Sequence, residues 1–375
     1  MLQRMDVGIP REVKDHENRV AITPTGVNEL VRRGHRVFIE HDAGTGSSHR
    51  DHAYVTAGAT IVATADDLWG ASTLILKVKE PLPEEHHRLR GDHVLFTYLH
   101  LAANAGCTNA LIESKATAIA YETVELPNGA LPLLAPMSEV AGRLAPHVGS
   151  YHLMSHSGGC GTLMGGVPGV PPAKMVIIGA GIAGQNAADI ALGMRAEVWL
   201  LDRNVERLRQ LDSMYRGQCR TIVSSAAAIG EALVDADLVV GSVLVAGAQA
   251  PKLVSNDQVS RMKPGSVLVD ISVDQGGCFE DTTATTHSNP TYPVHNAIFY
   301  CVANMPGAVP RTSTHALTNA TLPYAVALAD HGWRAAMRRD KALARGLATH
   351  DGRLVSEPVA EALGLTARSA EEVLT

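Results

Sequence analysis

Between Lys174 and Asp202 the chain reads KMVIIGAGIAGQNAADIALGMRAEVWLLD, a stretch that leaves a polypeptide little choice of fold. The apolar run Met175–Ile178 has the length and character of a strand buried on both faces. Gly179, Gly181 and Gly184 follow it in G-x-G-x-x-G spacing. An amphipathic stretch then runs to Met194, and a second β-rich run, Val198–Leu201, closes on Asp202. Strand, glycine turn, helix, strand and acid, in that order, make a dinucleotide site. The first glycine permits the tight turn, the second lets the backbone approach a pyrophosphate, and the third lets the helix pack on the strand. The first amides of the helix then face the phosphates. A carboxylate ending the second strand can accept the ribose hydroxyls of the adenosine and would repel the extra phosphate of NADP, so NAD is the expected cofactor.

The remainder of the chain has to supply a partner for that unit. A length of 375 residues suggests two or three domains, and an apolar content of 46% with 34 glycines and few aromatics suits an α/β enzyme. A formal net charge of −6 with dispersed basic residues argues against nucleic acid as a partner. The start, MLQRMDVGIPREVK, has no apolar signal core, and no apolar run reaches membrane-spanning length, so a cytoplasmic protein without membrane association is expected. Five scattered cysteines without a C-x-x-C pair read as reduced, mostly buried thiols.

From its start the chain alternates short β-type runs with helical ones. Strands are expected at Val7–Ile9, Val37–Glu40, Thr60–Ala63, Leu74–Val78, Val94–Leu99 and Thr117–Tyr121, with helices at Pro24–Arg33, Asp51–Ala57, Glu84–Arg90 and Asn104–Ser114. Repeated βα units imply a parallel sheet covered on both faces. A long helix is expected from about Pro132, followed by an ordered Gly/Pro-rich loop, SGGCGTLMGGVPGVPP. After the glycine turn, strands are expected at Ile222–Val223, Leu238–Val240, Ser266–Ile271 and Ile298–Val302, with helices at Glu206–Tyr215, Ser225–Val234 and Ser255–Met262. Helices then follow at Ser313–Asp330, Trp333–Arg339 and Glu357–Leu363. The terminal helices cannot bury a core alone and should return to the first domain. The expected architecture is therefore α/β: two doubly wound, parallel-sheet, Rossmann-like domains with an interdomain active-site cleft. Residues 1–132 plus 309–375 would form a discontinuous substrate domain and residues 133–308 the NAD-binding domain.

Four polar residues fall at or just past strand ends, where an open parallel sheet places its binding crevice. They are Arg19 in ENRVAITP, Lys79 in LILKVKEP, His100 in FTYLHLA and Asp274 in VLVDISVDQGG. Singly, each reads as a solvated charge or a hydrogen-bonded structural histidine. Together they form a kit: a guanidinium to hold a carboxylate in two-point fashion, an ammonium to polarise a carbonyl or imine, an imidazole that exchanges protons near neutrality, and a carboxylate beside the nicotinamide.

The segments GIPREVKDHENRVAITP, LILKVKEP, LFTYLHLA, AYETVE, LPLLAPMSEVAGR, GGVPGVPPAKMVIIGAG, KPGSVLVDISVDQGGCFE, VANMPGAVPRTST and ALTNATLPY are many, ordered and specific. Over nearly its whole length the chain resembles the L-alanine dehydrogenases, whose family includes the nucleotide-binding part of proton-translocating transhydrogenase. The resemblance implies reversible oxidative deamination, in which L-alanine, NAD+ and water give pyruvate, ammonium and NADH. It places substrate binding on Arg19 and Lys79 and catalysis on His100 and Asp274. It places NAD contacts on Ser138, Ile182, Asp202, Arg207, Ser224, Val243, Leu244, Ile271, Ser272, Val273, Asp274, Val302, Ala303, Asn304 and Met305, beside the glycine turn of Gly179, Gly181 and Gly184. It further implies a homo-oligomer, a hexamer.

Two positions depart from the family. Some members hold a divalent ion with a glutamate one helical turn before the histidine of ADHGW; here Ala327 stands four residues before His331, and no metal is expected there. Thr283 stands where some relatives place an NAD-contacting arginine, which would weaken affinity without changing the cofactor. Two alternatives keep the nucleotide site. One is a transhydrogenase-type subunit passing hydride between nucleotides, which would need no carboxylate clamp. The other is a non-catalytic NAD-binding protein, which would be expected to have lost members of the polar set.

Overall fold

The structure, a computed structural model, describes residues 4–243 and 249–375, so the expected NAD contact at Leu244 lies outside the described residues. Fifteen strands are found among the described residues. Along the chain they are β1 (Asp6–Ile9), β2 (Arg36–Glu40), β3 (Thr60–Val62), β4 (Leu74–Leu76), β5 (Val94–Thr97), β6 (Thr117–Ala120), β7 (Lys174–Ile178) and β8 (Glu197–Asp202). There follow β9 (Cys219–Val223), β10 (Leu238–Gly241), β11 (Val267–Asp270), β12 (Thr291–Val294), β13 (Ala297–Tyr300), β14 (Leu347–His350) and β15 (Arg353–Leu354). The chain divides into two compact units: the described residues up to Met137 with Val309–Thr375, and those between 138 and 308.

The first unit is built on one sheet in the order β15-β14-β6-β5-β4-β1-β2-β3. From β6 to β3 every neighbouring pair is parallel, whereas β14 runs antiparallel to both β6 and β15. Its middle strands, Leu74–Leu76 and Val94–Thr97, are buried at every position, as parallel strands covered on both faces must be. One face is filled by Leu68, Trp69, Ile75, Leu95, Leu99, Leu111 and Ala118. The helix Pro24–Arg32 starts where the Thr23 hydroxyl accepts from Gly26 N and Pro24 fills the first turn. The run Pro310–Arg339 returns to this unit, and Thr314 Oγ1 there accepts from Val20 N at 3.1 Å.

The second unit has a sheet in the order β12-β13-β11-β10-β7-β8-β9, parallel throughout except for β12 against β13. Strand β7 alternates between two cores: Met175 and Ile177 pack with Ala187, Leu200 and Val240, while Val176 and Ile178 pack with Leu201, Val239 and Leu268. The helix Ala135–His152 lies against the glycine-turn helix so closely that a Cβ at Gly142 would come within 2.2 Å of Ala183 O.

Several elements depart from expectation. The expected helix Glu84–Arg90 shrinks to a 3-10 turn, His86–Arg88. Glu85 is drawn inward, with one oxygen 2.9 Å from the buried Lys77 Nζ and the other accepting from Leu82 N at 2.9 Å, which ties down the segment a longer helix would need. The helix Ala65–Ala71, capped by Thr64, was not anticipated; nor were Lys341–Arg345 and the antiparallel strands β12, β14 and β15. The two helices expected at 313–330 and 333–339 form one run interrupted at Gly332, whose φ of 71° no helix contains.

Candidate functional site

In the second unit the glycine turn is built as its spacing requires. Gly179 has φ +102°, so a side chain there would be strained, and a Cβ would also meet Ser242 O at 2.9 Å. A Cβ on Gly184 would fall 1.8 Å from Gly179 O, so only hydrogen lets the helix sit against the strand. Gly181 differs: a Cβ there meets nothing within 4 Å. The fold does not need a glycine at that position, but a phosphate approaching the backbone would. The helix Ile182–Gly193 that follows carries no side-chain cap on its first amides, which leaves them for an anion. These residues therefore fit a dinucleotide pyrophosphate.

Asp202 ends β8, with Oδ2 accepting from Ala180 N at 2.7 Å and Oδ1 from Asn204 N at 2.8 Å. A carboxylate has about four lone-pair sites, so capacity remains for ribose hydroxyls. Arg207, which in sequence looks like an exposed helix charge, donates from Nε to Ala180 O at 2.8 Å and from Nη2 to Gln185 Oε1, bracing the turn. Ser224 follows β9, and its N donates to Asp202 O at 2.9 Å; Ile182 is 42% exposed at the helix start. Ser138 is half-buried on the helix Ala135–His152.

Val243 follows β10, and its carbonyl accepts from Ser272 Oγ at 2.7 Å. Ile271, Ser272, Val273 and Asp274 form a 3-10 turn after β11 that Asp270 starts, through Oδ1 accepting from Ser272 N. Val302, Asn304 and Met305 are buried and Ala303 half-buried just past β13, and Asn304 has φ 75°. The expected nucleotide contacts that are described thus sit on or near the turn and on the loops after β9, β10, β11 and β13, with Ser138 on its helix. Thr283 is exposed and donates from N to Tyr292 Oη at 2.7 Å.

In the first unit Arg19, Lys79 and His100 share a set of buried carboxylates that sequence reading did not single out. Arg19 is 2% exposed, with Nε 2.7 Å from Glu17 Oε1 and Nη2 2.5 Å from Glu17 Oε2, while Nη1 donates to Met137 Sδ at 3.0 Å. Burial pushes the Glu17 carboxyl up, but the Arg19 guanidinium, aided by the Lys79 ammonium, outweighs it and holds the pKa at about 2. Lys79 is 3% exposed and lies in the field of Glu17 and of Glu80. Glu80 also feels His100 and takes Lys14 Nζ at 2.8 Å; its Oε2 is buried without a hydrogen-bond partner. His100 follows β5, half-buried, with its ring stacked on Tyr98 at 5.9 Å and 11°.

Behind Lys79 the buried Lys77 Nζ bridges Glu12 Oε2 (3.0 Å) and Glu85 Oε1 (2.9 Å). Burial raises the Glu12 carboxyl to about 6 even though Lys77 opposes it. The set thus offers a guanidinium and an ammonium to a carboxylate or carbonyl, with an imidazole alongside. Asp274 belongs to the second unit. Elsewhere in the first unit, and among the described residues, one group of three metal-type ligands stands close together: His41, Asp42 and Asp51. His41 bridges both carboxylates, with Nδ1 2.6 Å from Asp51 Oδ2, which makes this a surface ion-pair cluster.

Two family models match the chain: the alanine dehydrogenase/PNT N-terminal domain over residues 8–141 and the alanine dehydrogenase/PNT C-terminal domain over residues 145–357. An alanine dehydrogenase of Mycobacterium tuberculosis is 60% identical over 370 residues, covering 99% of this chain and 100% of that one. Among solved structures, an L-alanine dehydrogenase superposes with a TM-score of 0.91 at 49% identity, covering 96% of this chain and 99% of that one. A transhydrogenase from Sinorhizobium meliloti superposes with a TM-score of 0.78 at 26% identity, covering 94% and 99%.

Proposed function

The chain belongs to the alanine dehydrogenase/PNT family, and from that premise we propose that it catalyses the NAD-dependent, reversible oxidative deamination of L-alanine to pyruvate and ammonium. The observation that carries the reading is the assembly of Arg19, Lys79 and His100 around one set of buried carboxylates in a chain that also builds the glycine turn and Asp202. A transhydrogenase subunit handling nucleotides alone has no use for that set. In this reading residues 1–132 plus 309–375 serve the substrate and residues 133–308 the nucleotide. The enzyme works as a cytoplasmic homohexamer, the usual form of the family.

NAD, when bound, supplies the hydride acceptor. Gly179, Gly181 and the first amides of the helix Ile182–Gly193 would hold its phosphates, and Asp202 its adenosine ribose. Glu17 takes the Nε/Nη2 edge of Arg19, so a substrate carboxylate is received on the Nη1 side, displacing the weak thioether acceptor of Met137. Lys79 opposes negative charge at the substrate carboxylate or carbonyl oxygen. His100 takes a proton from the alanine ammonium and passes it to solvent, then takes one from the water that adds to the imine carbon and returns it to the nitrogen. It next accepts the hydroxyl proton as the C–N bond breaks to give the carbonyl and ammonia, which leaves with that proton as ammonium. Asp274 holds the amine or orients that water.

Absorbance at 340 nm tests the reading directly. NADH should appear with NAD and L-alanine and disappear with pyruvate and ammonium. His100→Ala should keep NADH binding while turnover falls by about 10²–10⁴-fold, the range of general acid–base help. A variant that still turns over normally would remove His100 from the mechanism.

A further inference from the structure

Strands β4 and β5 lie side by side in parallel register, and beyond the end of each the backbone turns onto a buried carboxylate. Past β5, Leu99 N is 3.1 Å from Glu122 Oε1 and 3.2 Å from Oε2, and His100 N is 2.6 Å from Oε1. Past β4, Val78 N donates to Glu12 Oε1 at 2.6 Å and Lys79 N to Oε2 at 3.4 Å. Successive amides of an extended strand point to opposite sides. Two consecutive amides meeting one carboxylate therefore require the chain to leave strand geometry at Leu99, and His100, whose amide is pinned by the same carboxylate, is left-handed, with φ 48° and ψ 39°. That left-handed conformation is unfavourable for a residue with a Cβ and persists only where the surroundings hold it. Glu122 is 8% exposed and lies in the 3-10 turn after β6, the strand paired with β5.

We propose that Glu122 is a positioning residue for His100. Its carboxylate gathers the Leu99 and His100 amides, holds His100 left-handed, and so aims the imidazole along the Tyr98 ring. Glu12 has the corresponding place behind Lys79, and Lys77 holds it there. The inference rests on the proton-transfer role given to His100, because a histidine with no role would need no such aim. Positioning depends on reach, not on charge at the imidazole, and two variants separate these. Glu122→Gln keeps the length and one acceptor oxygen but drops the charge. Glu122→Asp keeps the charge and withdraws it by one methylene.

Glu122→Gln should retain kcat within about 5-fold, whereas Glu122→Asp should lose about 30-fold or more, since misalignment forfeits much of what acid–base help supplies. In Glu122→Asp, the KM for pyruvate and the Kd for NADH should stay within about 3-fold, because neither Arg19 nor the glycine turn touches Glu122. Its kcat/KM profile against pH should also lose the limb that Glu122→Gln keeps. Equal damage in both variants, an undamaged Glu122→Asp, or kcat and KM changing together would each overturn the proposal. If Glu122→Asp does not fold into an NADH-binding chain, Glu122→Gln decides alone, and loss of its turnover overturns the proposal. His100→Ala is assayed alongside. Normal turnover there sinks the acid–base reading itself, whereas an inactive His100→Ala beside a normal Glu122→Asp sinks only this inference.

Discussion

At the scale of single residues, the buried carboxylates of the first unit have consequences that acid titration should expose. Glu12 is raised to about 6 from an ordinary 4.5, so the folded chain holds that proton more tightly than the unfolded one. Its contribution to stability is complete below 4.5 and is lost as pH rises through about 6. Glu17 is lowered to about 2, so its contribution is intact above 4.5 and is lost as pH falls towards 2. Melting temperature should therefore rise as pH drops from about 6 to 4.5 and fall at lower pH. In Glu12→Gln the rise should vanish and the fall remain. Thermal unfolding followed by circular dichroism across that range checks both, and a wild-type profile declining steadily from neutrality would contradict the assignment. The same residues mark how far the site was legible. Arg19, Lys79 and His100 stood out because cations and a histidine beyond strand ends suggest a crevice. Glu12, Glu17, Glu80 and Glu122 did not, because a glutamate is ordinarily solvated and nothing local in REVK, HENR or YETV distinguishes a buried one.

At the scale of elements, the glycine turn divides into positions the fold requires and one that only a ligand requires. Gly184→Ala sets a methyl 1.8 Å from Gly179 O, an overlap that should cost about 1–3 kcal/mol or more and weaken NADH binding with it. Gly181→Ala meets no heavy atom of the chain within 4 Å and should change stability by no more than about 0.5 kcal/mol, the usual range for unhindered surface substitutions. Its NADH affinity should nonetheless fall by about tenfold or more, because the methyl stands where the pyrophosphate must approach. Calorimetric melting and fluorescence titration with NADH separate the two, and a Gly181→Ala variant with unchanged affinity would take the phosphate away from this turn. Parallel strands were readable because burial on both faces makes them continuous apolar runs, as in Met175–Ile178 and Val267–Val269. The antiparallel strands β12, β14 and β15 were not readable. Pro293 sits inside one, and His350 and Arg353 pair across the other two, so short runs of mixed polarity look like loop.

At the scale of the whole molecule, each unit carries its own sheet and core, and the second can be assigned to the nucleotide from sequence alone because its glycine turn is local. The first was legible only in part: Arg19, Lys79 and His100 could be singled out, but the carboxylates around them could not, since they come from positions as far apart in sequence as Glu12 and Glu122. That assembly pairs its cations with anions: Glu17 accompanies Arg19, Glu17 and Glu80 accompany Lys79, Glu12 and Glu85 accompany Lys77, and Glu80 takes Lys14. With the substrate received there, as the proposed function requires, a set this close to electroneutral should sort guests by valence. A monoanion the size of pyruvate can settle against one cation edge, whereas the second carboxylate of oxaloacetate or 2-oxoglutarate is brought up against glutamates. Like charges set together cost several kcal/mol, so kcat/KM for those diacids should lie about 100-fold or more below that for pyruvate, and comparable values would show that something other than charge governs entry.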